Sequence, residues 1–183
     1  MKNIFYILLL SVFAIACNDD ETPIENEEEL ITTVILSLSE NGTAGNTIQF
    51  KFTDLDGDGG NAPVIETDNL ASNTSYSAEI MLLNESVMPV EDITTEIEEE
   101  DADHQFFFSV SDAMLEIAYD DADGNGNPVG LQSTFTTGDA GTGNMTLTLR
   151  HEPDKNAEGV SEGDISNAGG ETDIEIVFPI VIQ

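Results

Sequence analysis

The sequence predicts an all-β domain, an antiparallel Ig-like β-sandwich of seven to nine strands with at most one short helix. Three observations predict it. Apolar residues recur with period two from Leu30 onward, the runs are short, and Gly, Asn and Asp clusters separate them. No strand-like run alternates with a helix-length amphipathic one, which excludes a doubly wound α/β domain.

The elements follow in chain order. Val34, Leu36 and Leu38 form the first apolar face, and Ile48, Phe50 and Phe52 a second, opposed by Gln49, Lys51 and Thr53. Tyr76, Ala78, Ile80 and Leu82 make the third. Residues 90–103 (VEDITTEIEEEDAD) are the one stretch that could be helical, because Ile93 and Ile97 are four apart and Glu is a fair helix former; an acidic loop is the alternative. Phe106, Phe108 and Val110 come next, then Leu115, Ile117 and Tyr119, then the weaker Leu131, Ser133 and Phe135. Met145, Leu147 and Leu149 alternate with Thr146, Thr148 and Arg150. Ile174, Ile176, Phe178, Ile180 and Ile182 hold one face of the last run. Pro179 cannot donate to a ladder, so that run is expected at an edge or a bulge.

Ahead of this body lies an address. Met1-Lys2-Asn3 is a short basic start, and residues 4–16 (IFYILLLSVFAIA) are apolar but too short to span a bilayer, as in a signal-peptide h-region. The run ends Ala14-Ile15-Ala16-Cys17, and Cys17 is the single cysteine of the chain. This junction resembles the lipobox of bacterial lipoproteins. The resemblance implies cleavage before Cys17 and lipidation of its thiol. Residues 18–29 are polar, acidic and Pro-containing, hence a self-repelling tether. An acidic run at that place also resembles the surface-export signal of Bacteroidetes-type lipoproteins. The expected organisation is a leader over 1–16, an anchor and tether over 17–29, and the sandwich over 30–183. The expected location is the outer membrane, lipid-anchored, facing the cell surface.

Composition narrows the function. The 183 residues carry 4 Lys+Arg against 37 Asp+Glu, a formal charge of -33. Nucleic-acid affinity comes from basic groups that displace counterions, so a polyanionic partner is excluded. An intramolecular disulfide framework and a Cys-rich zinc site are excluded by the cysteine count.

Two loops have the chemistry of a hard-cation site. Asp54-Leu55-Asp56-Gly57-Asp58-Gly59-Gly60 and Asp121-Ala122-Asp123-Gly124-Asn125-Gly126-Asn127 place oxygen side chains at alternating positions with glycines between. Asp54, Asp56 and Asp58, and Asp121, Asp123 and Asn125, are therefore candidate Ca²⁺ ligands. Each loop matches only the first half of the EF-hand pattern, since Ile65 and Gln132 stand where the bidentate Glu belongs. Asp, Asn and Gly are also the best turn formers, which is the alternative reading of both. The two histidines, His104 beside residues 96–103 (EIEEEDAD) and His151 beside Glu152 and Asp154, are weaker candidates for a transition metal.

No nucleophile elbow, HExxH or phosphate loop occurs. The expectation is a non-enzymatic protein without a certain cofactor.

Residues 119–131 (YDDADGNGNPVGL), 149–155 (LRHEPDK) and 167–174 (NAGGETDI), with 60–64 (GNAPV) and 104–108 (HQFFF), resemble a group of small Flavobacteria/Bacteroidetes-type surface lipoproteins. Its members are commonly labelled as type 1 periplasmic-binding-fold proteins and resemble companions of TonB-dependent outer-membrane receptors. The resemblance implies ligand capture for nutrient or metal uptake. The label also implies a two-lobed α/β scaffold, from which this chain departs in length and in lacking alternating helices. The functional expectation is an outer-membrane lipoprotein that binds a small ligand or a receptor. The alternative is a structural or adhesive surface module with calcium-stabilised Asp-rich loops.

Overall fold

A computed structural model describes residues 30–40, 47–57 and 60–183. Cys17, the leader and the tether lie outside the described residues, as does Asp58. The elements are β1 (Thr33–Glu40), β2 (Thr47–Thr53), β3 (Val64–Thr67), β4 (Ser75–Asn84), β5 (Glu91–Asp92), α1 (Ile93–Glu99), β6 (His104–Ser111), β7 (Leu115–Tyr119), β8 (Gln132–Thr137), β9 (Gly141–His151) and β10 (Glu171–Ile182). They form two antiparallel sheets. The larger runs β3-β2-β1-β4-β8-β7, with β5 paired to β4, and the smaller runs β10-β9-β6. The fold is an all-β sandwich with one short helix.

Period two explains the layers. In the β1–β4 ladder Val34 pairs with Leu82, Leu36 with Ile80 and Leu38 with Ala78, so one face of both strands is apolar throughout. The small sheet answers with Met145, Leu147, Leu149, Ile176, Phe178, Ile180 and Ile182, all buried in the same core. Phe50 and Phe178 meet across the two sheets with ring centroids 5.7 Å apart. Full burial of each such side chain contributes about 1.5–3 kcal/mol relative to exposure.

The helix is confined to Ile93–Glu99. Asp92 caps it, its Oδ1 accepting the Thr94 N–H at 3.1 Å, while Ile93 and Ile97 turn into the core. Pro179 does sit on an edge strand, opposite Asn144. Strands β3 and β5 were not legible as strands: Val64 and Ile65 are adjacent and both exposed, and β5 has two residues. Among the described residues no helix is long and apolar enough to cross a membrane.

Between β9 and β10 the chain makes a long excursion that folds back over the outer face of the small sheet. Phe107, which points away from the main core, is buried there with Val160 and Ala168 in a satellite cluster. Gln105 extends the attachment, its Nε2 donating to the Val160 carbonyl at 2.8 Å. The excursion re-enters the sheet through Gly169 and Gly170, at φ 61° and 67°.

Candidate functional site

The polar residues singled out in the sequence gather at one end of the sandwich, where β6 begins and β9 ends. His104 and His151 are direct cross-strand partners in the β6–β9 ladder, on the inner face. Their rings stack with centroids 4.7 Å apart and planes 10° from parallel. The lone pairs of an imidazole lie in its ring plane, so two nearly parallel rings at this spacing do not aim at one ion. The structure thus brings the histidines together as a stack rather than as a chelating pair.

His104 is 2% exposed. Its Nδ1 lies 3.2 Å from the Glu100 carbonyl, an acceptor that assigns the proton to Nδ1. Its Nε2 faces Asp173 Oδ2 at 3.9 Å, beyond hydrogen-bond length. Burial pushes the His104 pKa down, the nearby His151 adds to that, and the Glu100 carbonyl and the charges of Glu100 and Asp103 offset part of it. In the adjoining outer row, Arg150 donates from its guanidinium to Thr172 Oγ1.

The second acidic loop is closed around a lysine. Lys155 is buried, and its Nζ reaches Asp123 Oδ2 at 3.3 Å, the Pro128 carbonyl at 3.1 Å and the Asp101 carbonyl at 2.6 Å. Asp123 Oδ1 accepts the N–H groups of Asn125 and Asn127 at 2.8 and 2.9 Å. Asp121 gives one oxygen to the Gly130 N–H at 2.7 Å and the other to the Gln132 N–H at 2.9 Å. Burial raises the Asp123 pKa, but the Asn127 and Asn125 N–H groups and the Lys155 ammonium outweigh it and hold the carboxyl below its ordinary value. Burial pushes Lys155 down, with Asp123 restoring part of the shift. The ammonium stands beside the very carboxylate that a divalent ion would use, and Asn125 remains exposed at the loop tip.

The first acidic loop is organised differently. Asp54 Oδ1 accepts the Gly57 N–H at 3.0 Å, and Asp56 Oδ2 accepts the Asn61 N–H at 3.0 Å and the Asn61 amide at 2.7 Å. The Asn61 N–H and amide lower the Asp56 pKa. These are turn-closing bonds, the role Asp favours in tight loops. The two acidic loops lie on different strand connections and do not share ligands among the bonds described.

Lys155 carried no sequence signal beyond its rarity: it is one of 4 basic residues in a strongly acidic chain. Among the described residues no group of three or more His, Cys, Asp or Glu is arranged to hold a metal.

A different surface opens where β6 and β7 leave the two sheets. Phe108, Val110, Leu115, Ile117 and Tyr119 line a groove of about 210 Å³, with Glu162 and Gly163 at its rim. Tyr119 closes one end, its hydroxyl donating to the Phe106 carbonyl at 2.7 Å, and burial pushes its pKa up to about 12. No protein-family model, curated protein or solved structure matches the chain.

Proposed function

We infer that the chain is a lipid-anchored, non-enzymatic β-sandwich of the outer membrane that binds a ligand or partner in support of receptor-linked uptake. The observation that carries the reading is the internal engagement of the polar end. General acid–base work requires a titratable group within reach of a substrate proton. Here Lys155, Asp121 and Asp123 contact the domain's own carbonyls and N–H groups, and His104 is buried beneath its neighbours. Recognition by surface is the role that this arrangement favours. The lipobox-like junction at Cys17 and the acidic tether support attachment to a membrane from one end.

Fractionation of cells expressing the full chain tests it. Cys17→Ser is expected to shift the protein from the outer-membrane fraction to the soluble one, and unchanged membrane association would remove the anchor from the reading.

A further inference from the structure

We propose that the seam between β6 and β7 receives an extended, basic segment of a partner polypeptide, which adds as a strand to the edge of β7. This rests on the partner-binding reading above and specifies its chemistry.

β7 ends the large sheet and β6 ends the small one, and their rings meet, Phe108 and Tyr119 having centroids 6.1 Å apart. The seam is therefore an edge of both layers at once. Hydrogen-bond parity says which groups face out. The Met114 carbonyl accepts from Gly138 at 2.7 Å and the Asp120 N–H donates to Gln132 at 3.0 Å, so the even positions of this stretch turn their main chain toward β8. By alternation Leu115, Ile117 and Tyr119 turn theirs outward. On β6 the Phe106 N–H donates outward to the Val129 carbonyl at 2.7 Å, which puts Phe108 and Val110 in the same outward phase. An outward main chain with half-buried apolar side chains beneath it is what strand addition uses: the ladder gives affinity, and alternate side chains enter the groove.

The other edges are differently placed. Beside β10, Leu70 forms a parallel bridge to Ile182 and its N–H donates to Val181 at 2.9 Å, while Pro179 interrupts the rest. β3 is four residues long and leaves Val64 and Ile65 exposed together, without an inward apolar face.

Charge selects the occupant. Asp112, Glu116 and Glu162 around the seam are exposed, while Asp120, also exposed, turns its Oδ2 to the Thr134 hydroxyl on β8 at 2.6 Å. The basic side chains of the described residues lie elsewhere: Lys51 on β2, Arg150 on β9 with Thr172, and Lys155 buried against Asp123. A second copy of a chain with formal charge -33 is repelled from such a rim, whereas a strand alternating Lys or Arg with apolar residues meets acids outside and Phe108, Val110 and Ile117 inside.

The test uses the full chain in mild detergent and a capped synthetic peptide alternating Lys and Val. Two controls share its length, one with Glu for Lys and one with Pro for the central Val. The alternating peptide is expected to bind about tenfold or more tighter than either control at low salt, and to slow amide exchange at Leu115, Ile117 and Tyr119. The doubly substituted Glu116→Lys, Glu162→Lys chain is expected to keep its melting temperature and lose that affinity. Equal binding of the proline-interrupted peptide, protection at β3 instead of β7, or dimerisation that protects the same amides without peptide would each overturn the proposal. An intact Cys17-dependent anchor with no seam binding would overturn this inference alone.

Discussion

The ammonium of Lys155 lies 3.3 Å from Asp123 Oδ2, in the middle of a loop whose spacing of acids and glycines is that of a cation site. A residue from a distant loop thus supplies the positive charge that the acids of 121–127 require. Because the same Nζ also reaches the Asp101 and Pro128 carbonyls, three chain segments are tied at one atom.

Breaking that tie by removing the cation alone leaves a buried carboxylate uncompensated. Lys155→Met is expected to destabilise the domain by about 3–5 kcal/mol, read as a drop in the urea midpoint. In a cycle with Asp123→Asn the two losses are expected to be strongly non-additive; additive losses would mean that the pair is not coupled.

Calcium has different consequences at the two loops. At the second loop it must displace the Lys155 ammonium, so Asp123→Ala is expected not to alter any calcium-induced rise in melting temperature of the full chain. A rise that disappears in Asp56→Ala would place the ion at the first loop and favour the structural surface module. A rise that needs Asp123 would contradict the lysine's role.

The stacked His104 gives the domain a pH dependence with a definite sign. Its pKa is lowered on folding, because burial disfavours the imidazolium, with His151 adding to the effect. The unfolded chain therefore binds more protons here, and stability falls as pH drops below the ordinary histidine value of about 6.5. Glu100, Asp103 and Asp173 are the acidic groups facing it. The difference in melting temperature between pH 7.5 and 5.5 is expected to be smaller in His104→Gln than in the unsubstituted chain. Equal differences would remove His104 as the cause.

Glycine substitutions separate backbone strain from free space. Gly170 has φ 67°, and a Cβ there overlaps the His151 carbonyl oxygen. Gly170→Ala is expected to cost more than about 1 kcal/mol, whereas Gly124→Ala, with nothing within 4 Å and no left-handed φ, is expected to lie within about 1 kcal/mol of neutral. Chemical denaturation of the two variants checks the contrast.

The satellite cluster offers a local readout. Phe107→Ala removes the ring that Val160 and Ala168 cover and is expected to cost about 3 kcal/mol or more. Amide exchange is expected to rise first within residues 153–170, ahead of the main ladder.

The inner faces of the large strands were legible because period two is a geometric property of a strand with one buried side: Ile176, Phe178, Ile180 and Ile182 are buried as their alternation requires. Phe107 was not legible. It lies in a run of three Phe, and its burial depends on a loop whose path no local pattern encodes. The site shows the same division. His151 is in phase with its strand's apolar face, so its side of the sheet could be read, but its partner His104 follows only from a register set between strands far apart in sequence. Lys155 remained unread for a similar reason, since an ion pair between loops has no period.

The order of strands in the small sheet governs biogenesis. Among the described residues β6 joins a sheet through β9, and it emerges from the ribosome well before β9 and β10, while the described strands of the large sheet are complete once β8 is made. Until β9 and β10 arrive, the inner face bearing Leu36, Phe50, Leu82 and Phe135 lacks Met145, Leu147, Leu149, Ile176, Phe178 and Ile180, which share its core. The nascent domain therefore closes its interior late in synthesis, and the apolar surface left uncovered in the interval is open to association with other chains until the last two strands are made.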